Sequence, residues 1–397
     1  MSKKVLLITQ NFYPVIGSSG NRNKNLFELL NKNGFDVTVL TTEPAYPNKN
    51  MYQDPQFWNV ESLNKHPNII RVDISTDRFE SQLTSRLKFY LEITKLFTDQ
   101  VKEMKKTTHF DEIIVSSPPI FIFWAGLKAK KLFDANLTLD LRDLWPESLK
   151  GIKKFHLKPI LSFFNDLEKR MYNLSDRIII NSNGFRKHVE GKLKTEKPII
   201  FLPNGAREDE IKERFDSNRN FRVIYTGNLG LAQDIDRIKL LIEKLYEEQI
   251  DLTIIGYGYN AKDLKHYVEE KQYDNVDFVE PTTREVCLDA NRKSDLGIVF
   301  LNDEEVFSTV LPGKILDYLT CMTPVLGSVD GQSADLIENN AVGYVTRDRD
   351  IDKIVEWIKE LKADPSKLES LKNNCNKLIT ENYLWEKNIN RLVNLLT

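Results

Sequence analysis

The spacing of apolar residues changes period repeatedly along the chain. Residues 4–9 hold the run Val5-Leu6-Leu7-Ile8 between polar neighbours, the mark of a buried strand. Residues 21–33 place leucines at 26, 29 and 30, one face of a helix, and end at the helix stop Gly34. With a further apolar run at 35–41, this predicts a strand-helix-strand unit. Similar runs return at 111–116, 136–141, 175–180 and 198–202, with helical spacing between the later ones, so the first half predicts a parallel sheet wrapped by helices.

The second half restarts the same grammar. A strand at 221–225 leads into Thr226-Gly227-Asn228-Leu229-Gly230, and residues 235–248 carry apolar side chains at 235, 238, 241, 242 and 245, a helical face. Further strands are expected at 252–255, 276–279, 296–301, 324–326 and 343–345, and residues 353–396 read as almost wholly helical with a break at Pro365. Two doubly wound α/β domains follow, with their boundary in the polar, charged stretch 204–220. Sheets of this kind bind ligands beyond the carboxyl ends of their strands. The chemistry is therefore expected on loops that follow strands, in a cleft between two domains facing each other.

Composition removes several classes. The 397 residues are 41% hydrophobic and 29% charged, which suits a globular chain and neither collagen nor disorder. No run reaches the roughly 20 apolar residues of a membrane-spanning helix, and the N-terminus reads as a first strand with no leader cleavage site. Cys287, Cys321 and Cys375 are odd in number and widely spaced. They suggest neither a disulfide framework nor a zinc cluster, and a reducing cytoplasm is expected. Residues 1–200 carry 31 Lys and Arg against 22 Asp and Glu, net +9; residues 201–397 carry 25 against 36, net −11. With no nucleic-acid motif, the basic half points to anionic lipid or a phosphate-bearing substrate, although solvated lysines would give the same count.

Four loops offer chemistry. Gly17-Ser18-Ser19-Gly20-Asn21-Arg22 lies between strand and helix, where glycine permits close approach and a helix N-terminus offers free N–H groups to an anion. It has neither the Gly-x-Gly-x-x-Gly nor the Gly-Lys-Ser/Thr pattern, and a flexible turn is the alternative. Asp140-Leu141-Arg142-Asp143-Leu144-Trp145-Pro146-Glu147-Ser148 follows a strand. There Arg142 could orient a carboxylate or phosphate and Asp143 or Glu147 accept a proton, the alternative being a structural Arg–Asp pair. Thr226-Gly227-Asn228-Leu229-Gly230 and Gly256-Tyr257-Gly258 are strand-to-glycine turns suited to a nucleotide, or merely tight turns. In Leu311-Pro312-Gly313-Lys314-Ile315-Leu316-Asp317-Tyr318, Pro312 fits the first turn of a helix whose N-terminus and Lys314 would receive a phosphate. Asp317, three residues on, would accept both hydroxyls of a ribose. The five histidines show no paired metal-ligand spacing, and the Asp-x-Asp pairs at 234–236 and 348–350 read as solvated acids.

Together these segments resemble the family-4 retaining glycosyltransferases of GT-B fold, most nearly the L-fucosamine-type transferases of O-antigen and capsule assembly. The resemblance spans essentially the whole chain. It implies an acceptor-binding Rossmann-like domain at 1–203, a nucleotide-sugar-binding one at 204–379, and a helix at about 380–397 packing back on the first. It implies transfer of a sugar from a nucleoside-diphosphate donor, UDP-linked, to a polyprenyl-diphosphate-linked glycan, with retention and with no metal or other cofactor. The family's Glu-x7-Glu element falls on Thr309 and Asp317. Asp317 would then hold the ribose, while Thr309 replaces the carboxylate that touches the donor sugar, which makes a deoxy or acetamido sugar plausible. The family's diphosphate-clamping Arg and Lys are replaced by Asn228 and, near the lysine position, Asp234, leaving Lys314, the helix start and Arg22 to neutralise the donor.

By the same resemblance Asp143 faces the acceptor and the reacting sugar, and Asp143 and Lys314 are the expected catalytic residues. Gly227, Asn228, Leu229, Gly256, Tyr257, Gly258, Thr309, Leu311, Pro312, Gly313 and Asp317 form the expected donor site, with Gly17, Ser18, Ser19, Gly20, Arg22, Arg142 and Glu147 as acceptor or phosphate loop. The implied chemistry is a front-side displacement in which the leaving phosphate helps deprotonate the acceptor, so no protein nucleophile is needed. Basic residues Lys150, Lys153, Lys154, His156 and Lys158 beside Ile160, Leu161, Phe163 and Phe164, and the stretch 86–106, suggest peripheral contact with an anionic membrane; ordinary core and solvated lysines are the alternative. Two other functions share the architecture: a nucleotide-sugar 2-epimerase and a catalytically silent partner subunit.

Overall fold

The computed structural model of the chain describes residues 2–75, 83–145, 158–214 and 220–397. They fall into two compact units, one holding the described residues up to 145 with 158–203 and 389–397, the other holding those from Asn204 to Asn388.

The first unit is a parallel sheet of β1 (Lys4–Ile8), β2 (Asp36–Thr42), β3 (Ile69–Val72), β4 (Glu112–Ser117), β5 (Asn136–Leu141), β6 (Arg177–Ile180) and β7 (Ile199–Phe201), in the order β3-β2-β1-β4-β5-β6-β7. The chain reverses its direction of travel across the sheet between β1 and β4. Val5 to Ile8 are buried on both faces, which is why β1 reads as an unbroken apolar run. The helix Ser18–Lys32 begins three residues earlier than its leucine spacing predicts, because Ser18, Ser19 and Gly20 carry no apolar signal. β3 was not expected from the pattern: all four of its residues are only half-buried at the sheet edge, so it lacks a core strand's profile.

The second unit repeats the plan with β8 (Arg222–Asn228), β9 (Asp251–Tyr257), β10 (Val276–Val279), β11 (Leu296–Phe300), β12 (Val325–Ser328) and β13 (Gly343–Val345), in the order β10-β9-β8-β11-β12-β13. Its reversal lies between β8 and β11. The helix Ile235–Glu247 buries Ile238, Leu241, Ile242 and Leu245 against this sheet, each burial contributing about 1.5–3 kcal/mol. The C-terminal helical stretch is three helices, Ile351–Ala363, Pro365–Asn382 and Trp385–Leu396. Pro365 opens the second of them behind the N-cap Asp364, which accepts from the Lys367 N–H at 3.0 Å. Within the first unit, Lys3 Nζ donates to the Leu396 carbonyl at 2.6 Å, tying the end of the last helix beside β1. Among the described residues no helix is long and apolar enough to cross a membrane.

Candidate functional site

In the second unit the two glycine turns are neighbours in the sheet, because β8 and β9 pair Gly227 with Gly256 and Asn228 with Tyr257. Gly227 has φ +112° and Gly258 φ +110°, a backbone region that disfavours side chains, and a Cβ on Gly258 would meet Asn228 Oδ1 at 2.0 Å. The Leu229 N–H donates to the Tyr257 carbonyl at 2.6 Å and the Asn260 N–H to the Leu229 carbonyl at 3.0 Å, so the turns lock together. Leu229 is wholly buried and packs on Gly256, where a Cβ would come within 2.5 Å of it. Its side chain is therefore core and offers a ligand no surface, whereas Asn228 is exposed.

The segment after β11 comes to the same edge. Pro312, with ψ 136°, is the N-cap of the helix Gly313–Thr320 and not part of its first turn, so the first helical N–H groups belong to Gly313 and Lys314. Tyr318 fixes this helix at the reversal point. Its hydroxyl accepts from the Thr226 N–H of β8 at 2.9 Å and donates to the Ile298 carbonyl of β11 at 3.2 Å, while its ring covers Gly297, where a Cβ would lie 2.6 Å from the ring.

Lys314 then projects over β8. Its ammonium lies 3.7 Å from the centre of the Tyr225 ring and donates to Gln233 Oε1 at 3.2 Å, and the same amide oxygen accepts the Tyr225 hydroxyl at 3.0 Å. The Lys314 chain passes Gly227, where a Cβ would stand in ordinary contact with Lys314 Cε at 3.7 Å. Among the described residues no carboxylate lies within ion-pair distance of Lys314, and burial pushes its ammonium well below its ordinary pKa. Several other half-buried cations of this unit are paired with carboxylates instead: Arg222 with Asp251, Arg237 with Asp234, and Arg284 with Glu210 and Asp317. A desolvated cation held by a ring face and a neutral amide, next to free helical N–H groups, is a receptor for an anion.

Asp317 sits one turn after Lys314 and accepts from Arg284 Nη1 at 2.7 Å. Burial raises its pKa above the ordinary carboxylate range, with Arg284 opposing the rise. Thr309 ends the short helix Glu305–Ser308 and donates its hydroxyl to the Val306 carbonyl at 2.7 Å, while Leu311 is buried beside it. The two Asp-x-Asp pairs are structural as well as solvated: Asp234 and Asp350 are N-caps, and Asp348 pairs with Lys353.

The carboxyl edge of the first unit is built differently. The loop after β1 is pinned, not flexible: Asn23 Nδ2 donates to Thr9 Oγ1 and to the Asn11 and Ser19 carbonyls, and a Cβ on Gly20 would meet the Val15 carbonyl at 1.9 Å. Gly17, with φ +94°, and Ser18 are exposed at the start of the helix Ser18–Lys32, and Ser19 is half-buried. Arg22 does not reach toward a ligand. Its guanidinium is fully buried, donates from Nε and Nη2 to Asp140 at 2.7–3.1 Å and from Nη1 to the Leu202 carbonyl at 2.9 Å, so it is not available to neutralise a donor. Arg142 donates to Ser116 Oγ and the Pro118 carbonyl, both at 2.8 Å, and burial lowers its pKa to about 10. Asp143, half-buried at the end of β5, acts on Arg142 electrostatically. Glu147, Lys150, Lys153, Lys154 and His156 lie outside the described residues, as do the side chains of Lys158 and Ile160.

Gln233, Arg284 and Glu210 were not singled out from the sequence. Gln233 is a neutral residue 81 positions before its partner Lys314, and Arg284 lies 74 and 33 positions from Glu210 and Asp317; separations of this kind leave no local spacing to read.

Residues 20–210 match the family model described as Glycosyltransferase Family 4, and residues 206–378 match that of Glycosyl transferases group 1. The two matches follow one another along the chain. Over 335 residues, 80% of this chain and 81% of the other, it is 20% identical to an Escherichia coli K12 protein assigned to colanic acid biosynthesis as the glycosyl transferase WcaI. Over 271 residues, 62% of this chain and 67% of the other, it is 24% identical to the Staphylococcus aureus capsular polysaccharide biosynthesis glycosyltransferase CapM. Among solved structures, sucrose-phosphate synthase of Thermosynechococcus elongatus aligns with TM-score 0.76 at 15% identity, over 99% of this chain and 98% of that one. Anabaena HepE in complex with UDP and glucose aligns with TM-score 0.69 at 15% identity, over 99% of each chain. The fold is GT-B.

Proposed function

We propose that the protein is a retaining glycosyltransferase that moves a sugar from a nucleoside-diphosphate donor to a lipid-linked glycan during assembly of a capsular or related surface polysaccharide. The observation that carries this reading is the Lys314 ammonium, buried against Tyr225 and Gln233 with no carboxylate beside it among the described residues, next to the first N–H groups of a helix. A diphosphate supplies the missing negative charge, and Asp317, one turn on, accepts hydroxyls of the ribose. UDP is the nucleotide favoured by the HepE complex, and the surface-polysaccharide role by the WcaI and CapM likenesses.

The reaction then needs stabilisation of a leaving group more than a protein nucleophile. The acceptor hydroxyl oxygen bonds to the anomeric carbon, the bond from that carbon to the phosphate oxygen breaks, and its electron pair goes to the diphosphate. The hydroxyl proton passes to the same phosphate. Charge develops where Lys314 and the helix N-terminus already point, so their dipoles need no reorganisation. Asp143 orients the acceptor or takes its proton. Thr309, whose hydroxyl is turned back to Val306, suits a donor sugar with fewer hydroxyls to satisfy.

The acceptor's lipid favours a membrane contact through the first unit. Leu87, Leu91 and Phe163 are exposed, and behind Phe163 a run of ring contacts passes through Phe164 and Phe121 to Tyr90. Incubating the protein with labelled nucleotide sugars and polyprenyl-diphosphate-linked saccharides tests the proposal. Transfer with retained anomeric configuration is expected; conversion of the donor without acceptor, or no transfer by a folded protein, would contradict it.

A further inference from the structure

Asp317 is held by residues that no sequence motif marks. Arg284, the first residue of the helix Arg284–Arg292, directs Nε and Nη2 at Glu210, at 2.5 and 3.1 Å, and its remaining arm, Nη1, at Asp317 Oδ1. The three side chains are only 18–30% exposed. Asp317 Oδ2 takes no donor among the described residues, so one carboxylate oxygen is anchored and the other is left to accept.

Charge gives this arrangement a purpose. Burial and the neighbouring Glu210 both disfavour an ionised Asp317, and Arg284 opposes both. The other groups facing Asp317 are Cys287 from the Arg284 helix and Tyr318 and Cys321 from its own segment. Burial raises both thiols to about 12 and the phenol above its ordinary value, so all three are neutral near pH 7. Arg284 is thus the one cation paired with the carboxylate among the described residues. Burial works against its charge, but Asp317 and Glu210 outweigh that and hold its pKa well above the ordinary value.

We infer that Arg284 is the positioning residue of the donor site: clamped by Glu210, it fixes the rotamer and the ionisation of Asp317, and the preference for a ribose over a deoxyribose nucleotide depends on it. The inference rests on the donor-site reading above. A carboxylate that is free to rotate or to protonate accepts a hydroxyl weakly; one pinned through Oδ1 presents Oδ2 in a single direction.

Calorimetric titration of the full chain with UDP, GDP and ADP, and with the 2′-deoxy counterpart of the tightest binder, tests this. The unaltered protein should prefer the ribonucleotide by about tenfold, the scale of one hydrogen bond to a charged group. Arg284→Gln should bring the preference below about twofold, and Arg284→Lys, which keeps the charge without the fork, should leave it between these values. Whatever preference Arg284→Gln retains should fade as pH falls, because its Asp317 protonates more readily. Lys314→Ala should weaken ribo and deoxy ligands alike and leave their ratio unchanged. If the two Arg284 variants keep the tenfold ratio while Lys314→Ala still weakens binding, the Arg284 inference is overturned and the donor site stands. If no nucleoside diphosphate binds, or Lys314→Ala binds normally, the donor site itself falls and the inference with it. Should Arg284→Gln fail to fold, Arg284→Lys alone decides.

Discussion

The carboxyl edges of the two sheets share a topology and differ in how their positive charge is matched. In the first unit Arg22 is buried in a multidentate pair with Asp140, and Arg142 is occupied by Ser116 and the Pro118 carbonyl. In the second, Lys314 is half-buried with no carboxylate beside it among the described residues, between an aromatic face and an amide oxygen. A matched buried pair fixes a fold and has little left to offer a ligand, while an unmatched buried cation is a liability until an anion arrives. The lesson is that a conspicuous arginine in a loop is weaker evidence for anion binding than a lysine whose neighbours are neutral.

That contrast can be broken by substitution. Arg22→Ala should have the largest effect, about 3–5 kcal/mol of lost stability from leaving Asp140 buried without its partner, seen as a fall in the denaturant midpoint. The fraction that remains folded should bind nucleotide normally; a large loss of affinity at unchanged stability would place Arg22 at a ligand after all. Lys314→Ala should do the reverse, cutting transfer by about 10²–10³-fold while the thermal transition hardly moves.

A smaller effect should follow pH. Burial depresses the Lys314 pKa in the free protein, and a bound diphosphate restores it, so binding takes up a proton and affinity falls as pH rises through the depressed value. Titrations in two buffers of different ionisation enthalpy should show that uptake, and Lys314→Ala should abolish it. Arg142, lowered only to about 10, stays charged near neutrality and should contribute no such linkage. The smallest expected change concerns the membrane. Phe163→Ser and Leu91→Ser should each weaken sedimentation with anionic phosphatidylglycerol vesicles by roughly tenfold, from about 1.5 kcal/mol or more of lost apolar burial, and leave nucleotide binding intact.

Much of the fold was legible: β1 is an unbroken apolar run because it is buried on both faces, and β5, β10 and β13 carry the very bounds their sequence suggests even though β10 and β13 are partly buried edge strands. β3, an edge strand no less buried than β10, was not anticipated. For the site, Lys314, Asp317 and the two glycine turns could be picked out because each follows a strand. What the sequence could not convey was which charges cancel. Arg22 looked available and is not, since Asp140 lies 118 positions away; Asp317 looked solitary, yet Arg284 and Glu210 hold it from distant segments. Gln233, a neutral partner where a carboxylate would have matched Lys314, carries no motif of its own.

A crystal structure of the protein with a bound nucleoside diphosphate addresses the central claim most directly. The account predicts phosphate oxygens within about 3 Å of Lys314 Nζ and of the Gly313 or Lys314 backbone nitrogen, with the ribose hydroxyls on Asp317. Phosphates seated away from the start of the Gly313–Thr320 helix, with Lys314 still resting on Tyr225 and Gln233 alone, would contradict it.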